Sequence, residues 1–399
     1  MTKENEQTMR KPFMLSFPLE EYRKRLDKLI AIMHRDGVNA VIFTSDNNTF
    51  YFSSFQSIVW TSKVSTPGVV VVTDDGDMAL CTTKGGVETA KMTSLVEDIR
   101  YTGIGGYETL AKCIASVLQE KNLLGSRIGL ELGYGHKLHF NYANQQAMFE
   151  ELKNATIVDF SEQLWEMRGI KSPLEIERMR EVSRINSRAI EKCFREIRLG
   201  MTERELYRNI VAEYFRMGAD EATWLGLRAG VERYSQGNCP PSDRPIGAHE
   251  MILVDGGPGY RGYFSDIIRQ AMVGKPTDHQ LELFNVAREA TYVGIRAAQP
   301  GATMREVCEA IFQYIQKSPF AYLHPRTGGY GHSIGLNVHE APMVGYNDTV
   351  LQPGMTIAIE PEIFEAGMGS MGVEENILIT ETGNEIMSDS DSHLMILDL

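Results

Sequence analysis

The sequence predicts an α+β protein with a smaller N-terminal α/β domain and a larger C-terminal domain, in which helices cover one face of an antiparallel sheet. The first observation is the length, because 399 residues exceed the roughly 150 that one domain usually holds. The second is a composition of 43% hydrophobic and 23% charged residues, which is typical of globular proteins. The third is the order of the elements, which changes near residue 165. We therefore predict domains over residues 1–165 and 166–399.

The N-terminal region alternates helix and strand patterns. Apolar residues recur at helical spacing over residues 19–35, and a break at Gly37 precedes the strand pattern VNAVIFTS. The segment NNTFYFSSF, residues 47–55, predicts a further strand. Residues 67–82 predict two strands joined by a tight turn at Gly76.

The C-terminal region begins with a long helix pattern that starts at the cap Ser172 and runs to residue 199. A threonine followed three residues later by a glutamate predicts two further helix starts, at Thr202 and Thr303. Another helix is predicted over residues 280–298. Between these helices lie apolar strand patterns that each carry acidic residues: MILVDGG, YFSDIIRQAMVG, MTIAIEPEIF and EENILITETG.

Charge and cysteine content exclude several classes of function. The chain has 53 acidic and 40 basic residues, a net charge of −13, so phosphate backbones and anionic lipid would repel it. The sequence contains neither a secretory signal pattern nor an apolar run of the ~18 residues that span a membrane. Its five scattered cysteines fit neither a disulfide framework nor a thiolate metal site. We predict a cytoplasmic protein without nucleic-acid or membrane partners.

Five residues in or beside these strands have the side chains of a metal site: Asp255, Asp266, His332, Glu360 and Glu374. Taken singly, each acid is also explained as a solvent-facing strand residue. Taken together they are better explained by bound cations, because an unpaired carboxylate in an apolar setting costs several kcal/mol. Four carboxylates and one imidazole suit two divalent ions, namely manganese, iron, cobalt or zinc. Such a pair can activate water and polarise a carbonyl group.

These motifs resemble the pita-bread family of methionine aminopeptidases, X-Pro aminopeptidases, prolidases and creatinases. The resemblance rests on two aspartates eleven residues apart, followed by GHSIGLNVHE, EPEIF and VEENILIT. The N-terminal region resembles the creatinase-type N-terminal domain, and RGIKSPLEIERMR, residues 168–180, resembles the junction between the two domains. The resemblance therefore implies a C-terminal pita-bread domain and a homodimer.

The resemblance also implies roles for single residues. Asp255 would bind one metal ion through both oxygens, and Asp266 and Glu374 would bridge the two ions. His332 and Glu360 would complete the ligand set, with Glu360 or Glu374 carrying a proton to the leaving nitrogen.

Four residues are predicted to bind substrate. His339, seven residues after the ligand histidine, resembles the family's histidine that hydrogen-bonds the scissile carbonyl. Arg228 and Tyr234 would line the same pocket. Trp60 would face the active site of the partner subunit.

Three departures from the family pattern leave the identity of the substrate undecided at this stage. The family's peptidases carry a histidine about seventeen residues before the first aspartate, but residues 236–242 contain none. Gly372 stands where X-Pro aminopeptidases often have arginine, and residues 327–330 lack a further histidine.

The leading hypothesis is a two-metal hydrolase that cleaves an amide C–N bond of an X-Pro peptide. The alternatives are a non-peptide enzyme resembling creatinase, ectoine hydrolase or dimethylsulfoniopropionate lyase, and a non-enzymatic binding module.

Overall fold

The computed structural model describes residues 11–62, 65–103, 108–235, 237, 239–324 and 329–399. They form two compact units that divide between Met167 and Arg168, two residues from the predicted division. Among the described residues, no helix combines the length and apolar composition needed to cross a membrane.

The first unit contains a six-stranded mixed sheet with the strand order β4-β3-β2-β1-β5-β6. Strand β2 pairs antiparallel with β1 and β3, and the remaining neighbours are parallel. The elements are α1 (Leu19–Asp36), β1 (Ala40–Phe43), α2 (Asp46–Ser53), β2 (Gly68–Thr73), β3 (Met78–Thr82), α3 (Lys84–Thr93), β4 (Asp98–Tyr101), α4 (Glu108–Glu120), β5 (Arg127–Leu130), α5 (Tyr142–Glu151), β6 (Thr156–Asp159) and α6 (Ser161–Gly169).

The strand predicted for residues 47–55 is wrong, because most of this segment forms helix α2. The Ser45 hydroxyl caps the helix by accepting a hydrogen bond from the backbone N–H of Asn48. The Asn48 amide in turn donates to the buried carboxylate of Glu131 at 2.6 Å. A helix cap and a long-range hydrogen bond therefore outweigh the strand preference of the aromatic residues.

The second unit contains two five-stranded sheets and a two-stranded hairpin. One sheet has the order β18-β10-β8-β7, with β9 paired to β8, and the other has the order β12-β11-β13-β16-β17. The elements are α7 (Pro173–Arg195), α8 (Glu203–Arg216), β7 (Glu221–Ala229), β8 (Met251–Tyr260), β9 (Tyr263–Phe264), β10 (Ile267–Val273), α9 (Asp278–Ala297), α10 (Met304–Gln316), β11 (Gly331–Ser333), β12 (Glu340–Met343), β13 (Thr356–Ile359), β14 (Glu362–Glu365), β15 (Gly369–Gly372), β16 (Glu375–Ile379), β17 (Asn384–Ile386) and β18 (Met395–Leu397).

The helices of this unit start where the sequence predicts. Capping boxes form at Ser172, Thr202 and Thr303. Helix α7 ends at Arg195 rather than at residue 199, because the chain leaves the helical path and buries Ile197 in the apolar core beneath β8 and β10. Helix α9 begins two residues earlier than predicted, because the Thr277 side chain caps it.

The two sheets of the second unit come together at β10 and at the residue that precedes β16. The backbone N–H of Glu374 donates to the carbonyl of Ile268 at 3.3 Å. All residues of β10 and β16 are buried. The acidic residues at the starts of these strands therefore lie at the centre of the unit.

Candidate metal centre

The structure brings the five predicted metal ligands together. Asp255 lies on β8, Asp266 precedes β10, His332 lies on β11, Glu360 follows β13 and Glu374 precedes β16. The Nε2 atom of His332 is 3.5 Å from an oxygen of Glu360. It is 3.8 Å from one oxygen each of Asp266 and Glu374. One imidazole nitrogen therefore faces three carboxylates.

The ligand atoms of these residues form two groups that share Glu374. In each group all atoms lie within 4.8 Å of one another. One group contains Asp255, Asp266 and Glu374, and the other contains His332, Glu360 and Glu374. A third group joins Asp266, His332 and His339 at the same spacing. This arrangement has the ligand types that hard and borderline divalent cations prefer.

Several buried atoms of the cluster lack a hydrogen-bond partner among the described residues. They are Oδ1 of Asp266, Nε2 of His332 and both carboxylate oxygens of Glu374. His332 is fully buried, and its Nδ1 lies 3.1 Å from the carbonyl of Ser333. That carbonyl accepts a hydrogen bond from Nδ1–H. The unprotonated Nε2 therefore points its lone pair at the carboxylates. Bound cations would satisfy all of these atoms, so the residues present fit a divalent-metal site.

The electrostatics of the cluster also favour bound cations. Burial, followed by repulsion from Glu362, raises the pKa of Asp255 to about 7. Burial, followed by repulsion from Asp255, raises the pKa of Glu360 to about 8. The pKa values of Asp266 and Glu374 are raised well above their usual range for the same two reasons. Burial lowers the pKa of His332 to about 4, so its ring is neutral and available as a ligand at pH 7.

Asn376, a residue that the sequence reasoning missed, clamps the backbone of a ligand. Its amide oxygen accepts from the backbone N–H of Asp266 at 3.1 Å, and its nitrogen donates to the carbonyl of the same residue at 2.5 Å. Because Asn376 is two residues after Glu374, this clamp fixes the spacing between the two predicted bridging ligands. Glu375, which lies between Glu374 and Asn376, accepts hydrogen bonds from Arg269 through both carboxylate oxygens at 3.0 Å.

Gly331 allows the histidine strand to approach its neighbour. Its φ of 139° lies outside the region that other residues favour. A Cβ atom there would lie 1.9 Å from the carbonyl oxygen of Ala358. The glycine before His332 is therefore required by the close contact between β11 and β13.

The predicted substrate residues occupy different environments. His339 is exposed, and its ring centroid lies 4.3 Å from that of His332 and 5.0 Å from that of Trp224. Arg228, on β7, lies 3.4 Å from a carboxylate oxygen of Glu362. These contacts place His339 beside the metal cluster. They connect Arg228 with it through Glu362, a carboxylate that the sequence reasoning did not single out.

Two predicted substrate residues are not brought to the cluster by the described contacts. Tyr234 is 8% exposed and belongs to the apolar core. Its hydroxyl accepts a hydrogen bond from the backbone N–H of Met251 at 2.7 Å, which indicates a packing role. Trp60 lies in the first unit, with its ring edge-on to His139. Of the loop that lacks the family's histidine, Gln236 and Asn238 lie outside the described residues.

A buried ionic triad holds the loop that carries His339. Glu340, which follows this histidine, is 2% exposed and forms ion pairs with Arg168 and Lys171. It also accepts from the backbone N–H of Asn337 at 3.2 Å. Burial alone would raise its pKa, but the two cations lower the pKa of Glu340 to about 2. The carboxylate is therefore charged at pH 7 and ties the loop to the first residues of the second unit.

We expect Glu340→Gln to lower the free energy of unfolding by about 3–5 kcal/mol, because it leaves buried cations without their carboxylate. Glu385→Gln is the matched control. Glu385 pairs with Arg180 at the surface, where both side chains are at least 40% exposed, and its loss should cost below about 1 kcal/mol. Urea unfolding at pH 7 measures both values. Equal losses in the two variants would contradict the structural role of the triad.

The sequence profile described as metallopeptidase family M24 matches residues 177–381, a range that contains all five ligands and more than half of the chain. The chain belongs to metallopeptidase family M24. Membership in this family implies the use of divalent metal, and it confirms the predicted pita-bread resemblance and the metallohydrolase class. The profile of the creatinase/prolidase N-terminal domain matches residues 25–170.

Relatives of this M24 chain include peptidases that match most of its length. An Xaa-Pro dipeptidase from Pyrococcus furiosus is 26% identical over 376 residues, which cover 94% of this chain and 100% of the relative. The uncharacterized peptidase YqhT from Bacillus subtilis is 27% identical over 389 residues, with 94% and 100% covered.

Solved structures confirm the fold class of the M24 chain. An Xaa-Pro dipeptidase from Bacillus anthracis superimposes with a TM-score of 0.82 at 26% identity, covering 94% of this chain and 100% of that one. An X-Pro aminopeptidase from Thermotoga maritima shares the fold with a TM-score of 0.80 at 20% identity, with 93% and 99% covered.

Proposed function

We propose that this M24 protein is a two-metal hydrolase that cleaves the amide bond of Xaa-Pro dipeptides. The observation that carries the proposal is the pair of ligand groups that share Glu374. Four carboxylates supply the negative charge that two divalent cations neutralise, and the neutral His332 completes the set. The names of two relatives similar over most of this chain, both Xaa-Pro dipeptidases, support the choice of substrate.

Two divalent cations at this site would polarise the scissile carbonyl and lower the pKa of water. The side chains around them divide the remaining work. The Glu360 side chain is 28% exposed, whereas Glu374 is fully buried. Glu360 is therefore the better placed of the two to carry a proton to the leaving nitrogen. His339 is exposed as a whole residue but partly desolvated, which lowers its pKa. It is therefore neutral at pH 7 and would donate a hydrogen bond to the carbonyl oxygen.

A non-peptide substrate is the second candidate, and one observation favours it. Gly372, where the resemblance leads one to expect arginine, has no room for a side chain, because a Cβ atom there would lie 2.9 Å from Cγ of Glu362. An acidic group thus stands where a peptide-binding cation was expected. The substrate would then be a small cyclic amide or a zwitterionic osmolyte.

Cellular location and assembly belong to the proposal as well. All five cysteines are free thiols, which supports a reducing compartment such as the cytoplasm. We propose a homodimer on the basis of the family resemblance, with manganese as one of the four candidate metals.

Comparing kcat/KM across substrates tests the proposed function. The protein is reconstituted in turn with manganese, cobalt, zinc and iron and offered Xaa-Pro dipeptides, cyclic amides and zwitterionic osmolytes. We expect dipeptide hydrolysis at about 10⁴ M⁻¹s⁻¹ or more with at least one metal. The Glu374→Gln variant, prepared identically, controls for a contaminating peptidase. Turnover of a small molecule without turnover of any dipeptide would overturn the proposal in favour of the second candidate.

A further inference from the structure

Two cysteines of the first unit lie in contact with each other. Cys81 is on β3 and Cys113 is on α4. Cys81 is fully buried in the apolar core between the sheet and α4, and Cys113 packs against the same core from a half-buried position. The two side chains form a hydrogen bond with each other. Neither cysteine is in a disulfide, so this contact joins two free thiols.

A guanidinium group lies on the same face of the sheet as these thiols. Arg100, on β4, is the register partner of Cys81, and partners in register project their side chains to the same face. Its Nη1 atom donates to the hydroxyl of Ser116 at 3.2 Å. That hydroxyl donates in turn to the backbone carbonyl of Cys113 at 2.7 Å. Arg100 therefore reaches the turn of α4 that carries Cys113.

The two thiols differ in reactivity. The hydrogen bond with Cys81 lowers the pKa of Cys113 despite its partial burial, and the charge of Arg100 acts in the same direction. Asp98 and Glu120 pair with this guanidinium, so the hydrogen bond is the larger cause. The same hydrogen bond, together with burial, raises the pKa of Cys81. Because thiolate character and solvent access decide which cysteine a peroxide oxidises, Cys113 is the thiol that reacts first.

We propose that Cys113 and Cys81 form an oxidisable dithiol, in which hydrogen peroxide attacks from solvent at Cys113 and the neighbouring Cys81 closes a disulfide. In the first step the Cys113 sulfur bonds to a peroxide oxygen, the O–O bond breaks, and the other oxygen leaves as water. The Cys81 sulfur then bonds to the Cys113 sulfur, and the S–O bond of the sulfenic acid breaks to release a second water. Two thiols are oxidised, and one peroxide is reduced to two water molecules.

This modification site shares no residue with the metal cluster and does not depend on the proposed function. It is also compatible with a reducing compartment. There the dithiol is the resting form, and thiol–disulfide exchange returns the disulfide to it after oxidation.

Peptide mass spectrometry of the full-length protein tests the site. The protein is exposed to hydrogen peroxide in a buffer free of iron and copper, its remaining thiols are alkylated under denaturing conditions, and it is digested without reductant. We expect the wild type to lose two of its five thiols. One linked peptide pair should join Cys81 to Cys113 and be lighter than the two reduced peptides by two hydrogen atoms. Dithiothreitol should restore both thiols.

Single substitutions separate the two steps. Cys81→Ser leaves Cys113 without a thiol partner, so dimedone should capture Cys113 as a sulfenic acid and no link should form. Cys113→Ser should leave Cys81 reduced, because a buried thiol lacks access to the peroxide. Cys239→Ser is the matched control. Cys239 is also half-buried but lies in the second unit, and this variant should form the Cys81–Cys113 link as the wild type does.

Three results would overturn the proposal. One is a wild type in which Cys113 is oxidised to the sulfinic acid without a link to Cys81. Another is a link between a different pair of cysteines. The third is a wild type whose Cys81 and Cys113 stay reduced while glutathione in the same solution is oxidised. The wild-type peptides alone decide among these results, so the test holds if circular dichroism shows that a serine variant fails to fold.

Discussion

Glu374→Gln is expected to lower kcat by about 10³-fold or more, the largest effect of any single substitution considered. Glu374 belongs to both ligand groups, and neither of its buried oxygens has a hydrogen-bond partner among the described residues. An amide supplies one weak oxygen ligand and a nitrogen that would face the other acids. The loss therefore disturbs both cation positions. Asp266→Asn should behave similarly, because Asp266 also belongs to more than one group.

Folding of these variants is the necessary control. Glutamine is uncharged and so avoids the burial cost and the repulsion that raise the pKa of Glu374, and the metal-free Glu374→Gln protein should be at least as stable as the metal-free wild type. Glu385→Gln, which changes a surface glutamate outside the cluster, should keep full activity. Wild-type turnover by either acid variant would show that these carboxylates do not hold the catalytic cations.

Metal-free protein is expected to lose stability as the pH rises from about 5 to about 8.5. The pKa of Asp255 is raised to about 7 and that of Glu360 to about 8, in both cases chiefly by burial. The folded state therefore holds protons that the unfolded state releases near pH 4. A raised carboxyl pKa stabilises the folded state at low pH, and this contribution disappears as the pH rises through the folded-state values. Each retained proton contributes about 1.4 kcal/mol per pH unit, so the loss should amount to several kcal/mol.

Bound cations should reverse this dependence. They replace the protons between the carboxylates, and cation binding strengthens as the acids deprotonate. Urea unfolding at pH 5.5, 7 and 8.5, with chelator or with excess manganese, measures both curves. A metal-free protein whose stability is constant over this range would contradict the raised pKa values. A decline of equal size with metal present would contradict the binding of cations between these carboxylates.

The clustering of the five side chains could be predicted because each of them combines a metal-binding group with a strand of apolar residues. His332 lies within β11 and Glu374 directly precedes β16, and the residues of both short strands are buried throughout. A carboxylate or imidazole in such a strand needs a bound cation or another polar partner. The order of the motifs that carry the family resemblance supplied the positions of the remaining ligands. The capping boxes at Thr202 and Thr303 were predictable for a local reason, because both partners lie within one helical turn.

The residues that support the ligands were not predictable, because their partners are distant in sequence. Asn376 reads as an ordinary polar residue, and its bonds to Asp266 span 110 positions. Glu340 meets Arg168 across 172 positions. The wrong strand at residues 47–55 has the same cause, since Asn48 is bonded to Glu131 from 83 residues away. Tyr234 was predicted to bind substrate because it lies near a loop. The sequence does not show that its hydroxyl accepts a hydrogen bond from the backbone N–H of Met251.

The five clustered side chains are expected to bind two divalent cations in each chain. Elemental analysis of the purified protein, after reconstitution with manganese, cobalt and zinc in turn and removal of unbound metal, tests it most directly. We predict two equivalents per chain for the wild type with at least one of these metals, and less than one for Glu374→Gln. Less than half an equivalent in the wild type with every metal would contradict the claim.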